Sequence, residues 1–233
     1  MDNKIDNKKL YIIMALVFAL AFAGTYFLIK KGKESLAINE TQIRIPIQSE
    51  TQNRLKKAYF ASGCFWCVEA VYESVKGVEE SISGYSGGHT KNPTYEASNT
   101  GKTGHAEAVE IIYDPAVVSF KQLVDVYFGS QNIIQVDGQG NDRGSQYRSI
   151  IFYQNEEEKK IIETKIEQLN NQLKGKKVAA EVMPFQKFWI AEEYHQNYEK
   201  LHPNNSYIQN VSIPRLKRFQ KNFPYLLKEE AKH

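Results

Sequence analysis

The spacing of apolar residues changes several times along the chain, and the longest apolar stretch comes first. It runs for twenty residues without a charge, from Leu10 to Ile29. As a helix it would extend about 30 Å, the thickness of the hydrocarbon core of a bilayer. The segment Ala21-Phe22-Ala23 resembles a signal-peptide cleavage motif, but the apolar pattern continues beyond it to Ile29. We therefore expect an uncleaved membrane anchor rather than a signal peptide that is removed.

This anchor divides the chain into four parts. Residues 1–9 are a short polar N-terminus, residues 10–29 the transmembrane anchor, residues 30–57 a polar linker and residues 58–233 a domain. Lysines lie on both sides of the anchor, so the positive-inside rule favours neither orientation strongly. We expect one N-terminal helix to hold the domain at the membrane, with the domain on the extracytoplasmic side.

Within residues 58–233 the apolar positions alternate between the period of a strand and that of a helix. The pattern predicts, in order, a strand at 58–61, a helix at 64–77, strands at 78–85 and 106–113, a helix at 119–128 and a strand at 148–153. This βαββαβ order is that of the ferredoxin-like arrangement. Further on, it predicts a helix at 156–173, a strand at 178–183 and a helix holding Tyr194, His195 and Tyr198. We therefore expect an α+β fold: a ferredoxin-like βαββαβ two-layer sandwich with additional C-terminal helices and a strand.

Composition and charge narrow the class of protein. Of the 233 residues 42% are hydrophobic and 24% charged, which suits a globular domain that needs neither disulfides nor a structural metal to fold. The formal net charge of +3 comes largely from the lysine-rich ends, so we expect no nucleic acid as a partner. The chain has only two cysteines, Cys64 and Cys67. A disulfide between them would close a very short loop and remove little entropy from the unfolded chain, so the pair suits redox chemistry better than stability.

The position of the cysteine pair points to the same chemistry. Gly63 belongs to the turn that follows the predicted strand at 58–61, so Cys64 falls in the first turn of the following helix. Free backbone N–H groups and the helix dipole favour an anion there, and we expect them to lower the pKa of the Cys64 thiol. Cys67 follows one turn later on the same face, within reach of a disulfide. Phe65 and Trp66 place aromatic surface beside the nucleophile.

Three other interpretations of the cysteine pair remain open on spacing alone. The thiols could be buried structural residues. They could bind zinc with His89 and His105, although two histidines sixteen residues apart depart from zinc-finger spacing. They could also belong to a thioredoxin-like dithiol–disulfide exchange protein, although the βαββαβ order and the bulky Phe-Trp pair argue against that class.

The motifs around the pair narrow these choices through a resemblance. The run Gly-Cys-Phe-Trp-Cys at 63–67 closely resembles the active-site run of the peptide methionine sulfoxide reductase A family. Five further segments resemble motifs of that family in family order: 84–88 (GYSGG), 92–96 (NPTYE), 104–107 (GHAE), 142–149 (DRGSQYRS) and 194–196 (YHQ). The resemblance covers residues 59 to 198, nearly the whole predicted domain.

The resemblance implies an activity and its partners. Members of the family reduce the S epimer of methionine sulfoxide, free or in oxidised proteins and peptides. Their electrons come from thioredoxin or a similar dithiol donor, so neither a bound cofactor nor a metal is expected. The resemblance therefore implies a peptide-methionine (S)-S-oxide reductase that repairs oxidised proteins.

The resemblance also implies roles for individual residues. Cys64 is the nucleophile that becomes a sulfenic acid, and Glu107 is the acid. The remaining matches are phenol donors to the sulfoxide oxygen (Tyr95, Tyr147), substrate-binding residues (Phe65, Trp66, Asp142, Tyr194) and two histidines without a role separable from packing (His105, His195). Independently of the resemblance, Glu107 lies in the apolar strand at 106–113, where desolvation would raise the pKa of its carboxyl.

One departure from the family concerns the second cysteine. Many members have glycine at the position of Cys67 and place the recycling cysteine in a C-terminal tail. Here the residues after Tyr198 contain no cysteine. The resemblance therefore implies that Cys67 resolves the sulfenic acid, as in the Cys-Phe-Trp-Cys variants of the family. A thioredoxin-like exchange enzyme, which would ignore methyl sulfoxides, stays the main rival, and a binding protein without turnover is the weaker one.

Overall fold

The computed structural model describes residues 54–232, which form eight strands and six α-helices. The strands are β1 (Lys56–Ala61), β2 (Val78–Ser86), β3 (Ala106–Tyr113), β4 (Gly138–Gln139), β5 (Asp142–Arg143), β6 (Ile150–Tyr153), β7 (Glu181–Pro184) and β8 (Phe188–Ile190). The helices are α1 (Phe65–Glu73), α2 (Tyr95–Asn99), α3 (Phe120–Gly129), α4 (Glu156–Gln172), α5 (Tyr198–Leu201) and α6 (Ile213–Asn222). The predicted anchor at 10–29 lies outside the described residues, and so does most of the linker. In residues 54–232 no helix combines the length and apolar character that crossing a membrane requires.

Six strands form one mixed sheet in the order β7-β6-β1-β3-β2-β8. The pairings are antiparallel except that of β6 with β7, which is parallel. The α+β class predicted from the sequence is confirmed. β4 and β5 pair separately as a small antiparallel ribbon between residues 128 and 148, where the sequence pattern predicts no strand or helix.

The two faces of the sheet bury different side chains because successive residues of a strand point in opposite directions. In β1, Ala58 and Phe60 face the main core, which also contains the apolar residues of α1 and α3. Tyr59 and Ala61 face a smaller cluster on the other side, which is closed by aromatic residues near β8. The ring of Tyr59 stacks on Phe185 with a centroid separation of 3.7 Å. This buried central strand fixes the position of the turn that follows it.

Two helices begin at the residues predicted from the sequence, and in both a side chain caps the first turn. Ser119 forms a capping box with Gln122, so α3 begins where the sequence places it. Asn155 caps α4, whose first turn carries three glutamates that favour the positive end of the helix dipole. Local sequence is enough for these two boundaries.

The predicted helix holding Tyr194, His195 and Tyr198 is wrong. Glu193–His195 form a 3-10 turn, and α5 begins only at Tyr198. Asn197 between them has a left-handed backbone, with a φ of 54°. Its N–H donates to the buried carboxylate of Glu69 on α1, and the Gln196 side chain bonds the backbone of Ser83 on β2. These long-range hydrogen bonds hold the segment in a shape that a continuous helix could not adopt.

Candidate active site

The turn between β1 and α1 places the first cysteine. Gly63 has a φ of +74°, and its N–H donates to the carbonyl oxygen of Tyr147 at 3.1 Å. A Cβ at this position would lie 2.6 Å from the Cβ of Gln139. The turn therefore needs glycine for two reasons, backbone conformation and space.

Replacement of Gly63 by alanine is expected to lower the free energy of unfolding by about 1–3 kcal/mol, because it adds backbone strain and a steric overlap. Urea unfolding of wild type and variant measures the change. Gly140→Ala is the matched control, since Gly140 also has a positive φ of 60° but no atom within 4 Å of its would-be Cβ. An equal loss in both variants would contradict a steric contribution at Gly63.

Cys64 is the N-cap of α1 and is 6% exposed. The sequence pattern predicts that it lies in the first turn, so the helix begins one residue later than expected. Burial raises the pKa of its thiol, and the nearby Cys67 and Glu107 raise it further. The expected lowering of the pKa of Cys64 is therefore wrong for the reduced protein. Burial is the main physical reason. In addition, the first free N–H of the helix, that of Phe65, donates to Glu107 Oε2 at 3.0 Å. This donor is not available to a thiolate.

Glu107 lies on β3 and is 2% exposed. Burial raises the pKa of its carboxyl to about 8, although the hydrogen bond from the Phe65 N–H acts in the opposite direction and lowers it. The direction agrees with the prediction from the apolar strand. At neutral pH the side chain is therefore a protonated acid beside the residue that follows Cys64.

Tyr95 and Tyr147 lie close to this acid on two separate segments. Tyr95 begins α2, a helix that the sequence pattern does not predict, and its N–H donates to Glu192 Oε1 at 3.0 Å. Tyr147 ends a 3-10 turn at Ser145–Tyr147. Burial raises the pKa of both phenols, and the charges of Glu107 and Cys64 raise it further. Both tyrosines are thus neutral hydrogen-bond donors near the thiol and the acid.

The aromatic residues between the cysteines differ in exposure. Phe65 is fully buried, whereas Trp66 is partly exposed and so is the one of the two that a ligand can reach. The indole N–H of Trp66 donates to His195 Nδ1 at 3.2 Å, and its ring stacks on Tyr198 at a centroid separation of 3.7 Å. Tyr194 is 55% exposed at the rim, with its ring 4.2 Å from that of His195. His195 of the YHQ motif therefore accepts a hydrogen bond from the edge of the indole, and Tyr198 of α5 packs against its face.

The surroundings of Cys67 come largely from the C-terminal tail. A hydrogen bond from Cys64 lowers the pKa of Cys67, burial opposes it, and the charge of Arg215 on α6 lowers it further. The buried Arg215 guanidinium also donates to Ser62 O at 2.9 Å and to Ser130 O at 2.8 Å. The hydroxyl oxygen of Tyr207 lies 3.7 Å from Cys67 Sγ. Both cysteines are free thiols.

Asp142, at the start of β5, lies within the same group through Tyr207. Its Oδ2 accepts a hydrogen bond of 2.6 Å from the Tyr207 hydroxyl. Tyr207 and Arg215 are not among the residues predicted from the sequence, since no motif covers the tail. The usable signal was the amphipathic pattern there, since Ile208 and Phe219 are fully buried.

The histidines and cysteines of the described residues are not arranged as a zinc site. His105 uses both ring nitrogens within the fold, one accepting from Gly88 N–H at 3.1 Å and the other 2.8 Å from Thr90 O. Among residues 54–232 no group of three or more His, Cys, Asp or Glu side chains could hold a metal ion.

Comparisons with known proteins point to one family. Residues 56–226 match the family model described as peptide methionine sulfoxide reductase. The chain is 47% identical over 170 residues to the peptide methionine sulfoxide reductase MsrA of Sulfolobus acidocaldarius, covering 73% of this chain and 96% of that protein. It is 44% identical over 173 residues to MsrA of Pasteurella multocida, covering 74% and 99%.

Two solved structures resemble the fold. Methionine sulfoxide reductase A of Corynebacterium diphtheriae gives a TM-score of 0.60 at 32% identity, covering 65% of this chain and 77% of that one. Mxr1 of Saccharomyces cerevisiae in reduced form gives 0.61 at 28% identity, covering 66% and 88%. With nearly the full length of its relatives matched and the cysteines, acid and phenols brought together, the chain belongs to the peptide methionine sulfoxide reductase family.

Proposed function

We propose that this protein reduces methionine-S-sulfoxide, free or in proteins, to methionine through a sulfenic acid on Cys64 and a disulfide between Cys64 and Cys67. The observation that carries the proposal is the contact of Glu107 with the Phe65 N–H at 3.0 Å, together with a pKa of about 8 for this carboxyl. It puts a protonated acid beside the nucleophile at neutral pH. Breaking the S–O double bond of a sulfoxide requires such a proton donor.

In the first step the sulfur of Cys64 attacks the sulfoxide sulfur. Glu107 gives a proton to the sulfoxide oxygen, and Tyr95 and Tyr147 donate hydrogen bonds to it. The oxygen moves to Cys64 as methionine leaves, and the thiol proton of Cys64 restores the protonated Glu107. The products are methionine and the sulfenic acid of Cys64, so atoms and electrons balance.

We propose that Trp66 contacts the methyl group of the substrate, since aromatic carbon suits a sulfur-bound methyl group. Its indole is partly exposed and fixed by His195 and Tyr198. Phe65 is fully buried and packs behind it, whereas the exposure of Tyr194 supports a contact with the peptide around the methionine. The role of Asp142 toward the substrate stays a prediction.

Recycling requires two electrons from a dithiol donor such as thioredoxin, which we propose as the partner. The donor would reduce the disulfide between Cys64 and Cys67 by thiol–disulfide exchange. No bound cofactor takes part in this scheme. A coupled assay with thioredoxin and a methionine-S-sulfoxide peptide tests the function, with the R-sulfoxide peptide and insulin disulfides as controls. Reduction of insulin without reduction of the sulfoxide would favour the thioredoxin-like alternative.

Replacement of Cys67 by serine is expected to keep the first turnover within about threefold of wild type but to stop thioredoxin-dependent turnover. The sulfenic acid on Cys64 still forms, but no other cysteine of the chain can resolve it. One methionine per enzyme in a single-turnover reaction, and no steady state with thioredoxin, would be the measured result. Undiminished multiple turnover would contradict the assignment of Cys67 as the resolving thiol.

We also propose that four strands of the sheet form a ferredoxin-like unit. β6, β1, β3 and β2 are consecutive in the sheet, and their three pairings are antiparallel. That order supports the arrangement expected of a βαββαβ chain. In this interpretation β7 and β8 extend the unit at its two edges.

The location of the protein is a separate proposal that rests on the apolar sequence at 10–29. We propose a single N-terminal anchor, with the domain on the extracytoplasmic side. Protease added to intact spheroplasts should then digest the domain. Complete protection of the domain until the membrane is lysed would contradict this orientation.

A further inference from the structure

The hydroxyl of Tyr207 lies between the second cysteine and a carboxylate. Its oxygen is 3.7 Å from Cys67 Sγ, and it donates to Asp142 Oδ2 at 2.6 Å. A phenol has one hydrogen, so while it donates to Asp142 its oxygen can only accept from the thiol. The three groups therefore form a continuous hydrogen-bonded chain that leads from the thiol of Cys67 to the carboxylate of Asp142.

We propose that Tyr207 and Asp142 form a proton relay that deprotonates Cys67 as it attacks the sulfenic acid of Cys64. Tyr207 contacts the reacting sulfur and is a catalytic residue of this step, whereas Asp142 acts through Tyr207 as a positioning residue. The inference rests on the proposed function for the origin of the sulfenic acid. It assigns a task in the second step to one residue outside the sequence motifs and one within them.

With this relay, every bond and proton of the second step is accounted for. The sulfur of Cys67 bonds to the sulfur of Cys64, and the S–O bond of the sulfenic acid breaks. The proton of Cys67 passes to the oxygen of Tyr207 while the proton of Tyr207 passes to Asp142. The hydroxyl group leaves as water with a proton from Glu107, so one disulfide and one water form without an outside oxidant. The proton on Asp142 then returns to Glu107 through solvent.

The first step itself creates the need for this relay. In the reduced pair, the hydrogen bond from Cys64 is the largest influence on the pKa of Cys67 and lowers it, while burial raises it. Conversion of Cys64 to a sulfenic acid consumes that S–H donor. Arg215 and the hydroxyls of Ser212 and Tyr207 are the remaining groups that favour loss of the proton. Both hydroxyls are hydrogen-bonded to a carboxylate, Ser212 to Glu199 and Tyr207 to Asp142. We assign the relay to Tyr207 because its oxygen lies 3.7 Å from Cys67 Sγ.

Tyr207 is suited to pass a proton rather than to lose one. Burial raises the pKa of its phenol, and the charges of Cys64 and Cys67 raise it further, so an ionised phenol is not populated at neutral pH. It must therefore gain one proton as it gives up another. The backbone around it is fixed, because its N–H donates to Asn205 Oδ1 at 2.9 Å and the next residue, Ile208, is fully buried.

The two steps can be followed separately in single-turnover reactions of the full chain with a methionine-S-sulfoxide peptide and no reductant. Methionine reports the first step, loss of free thiols the disulfide, and dimedone trapping the sulfenic acid. In Tyr207→Phe we expect a first step within about threefold of wild type. Disulfide formation should slow by about 100-fold, the effect of losing one positioned proton acceptor, and sulfenic acid should accumulate.

Tyr225→Phe is the matched control, since it removes a hydroxyl from a ring that is 71% exposed. Both steps should be unchanged in that variant. Asp142→Asn keeps the Tyr207 ring and its hydroxyl while removing the charge that receives the proton. Without the relay, Cys67 must ionise before it attacks. Disulfide formation should therefore accelerate with rising pH more steeply in Tyr207→Phe and Asp142→Asn than in wild type, which a purely structural role would not produce.

Disulfide formation at the wild-type rate in Tyr207→Phe would overturn the relay, and so would an equal fall of both steps. Failure of the wild-type protein to reduce the sulfoxide peptide would instead overturn the proposed function. The relay stays measurable in that case, because hydrogen peroxide oxidises a reactive cysteine to the same sulfenic acid. The second step and its pH dependence can then be followed from that starting point.

Discussion

Replacement of Cys64 by serine is expected to abolish sulfoxide reduction, including the first turnover, with a fall in rate of about 10⁴-fold or more. An alcohol is a far weaker nucleophile than a thiol, and serine oxygen cannot take up the sulfoxide oxygen as a sulfenic acid. Quantification of methionine after mixing the variant with a methionine-S-sulfoxide peptide, without reductant, measures the loss.

The stability of the variant provides the control. Cys64 is the N-cap of α1 and makes no side-chain capping bond, whereas serine is among the preferred N-cap residues. Cys64→Ser should therefore unfold at the same urea concentration as wild type or a higher one. Since Cys67 has the lower thiol pKa in the reduced pair, a rival assignment makes it the nucleophile. Methionine formation by Cys64→Ser at close to the wild-type rate would favour that rival.

Several parts of the site could be predicted because they depend on neighbours in sequence. The turn at Gly63, the start of a helix near Cys64 and the apolar strand around Glu107 are each encoded within a few residues. The high pKa of Glu107 follows from that strand, since a carboxyl in the middle of an apolar sheet loses solvent wherever the strand pairs. The capping box of Ser119 is local in the same way.

The contacts that shape the reactivity of the cysteines are not local. Tyr207 is 140 residues from Cys67, and Arg215 is 153 residues from Ser62. Neither the tail pattern nor the motif indicates that these side chains meet the start of α1. The error in the pKa of Cys64 has the same origin, because the burial of this thiol results from tertiary packing. Glu107, 42 residues from Phe65, also accepts from the helix N–H that was expected to stabilise the thiolate.

Replacement of Glu107 by glutamine is expected to slow the first step by about 10²–10⁴-fold, the usual contribution of a positioned acid. Glutamine keeps the size of the side chain and an acceptor for the Phe65 N–H but has no proton to give. Wild-type activity requires the protonated carboxyl, so its rate should fall as pH rises through about 8. This falling limb should be absent from the pH profile of the variant.

Glu110→Gln makes the same chemical change on the same strand, where Glu110 accepts hydrogen bonds from Lys57 and Tyr59 instead. That control should keep the falling limb near pH 8.

The pH dependence of stability gives an independent check that the pKa of Glu107 is raised in the folded protein. The folded carboxyl binds its proton up to about pH 8 and the unfolded one only up to its ordinary pKa of 4.5, so burial costs wild type stability as pH rises between these values. The difference in free energy of unfolding between Glu107→Gln and wild type should therefore shift in favour of the variant from pH 4.5 to 8, by about 4 kcal/mol at most. A variant that loses the falling limb without this gain would show that the carboxyl titrating near pH 8 is not Glu107.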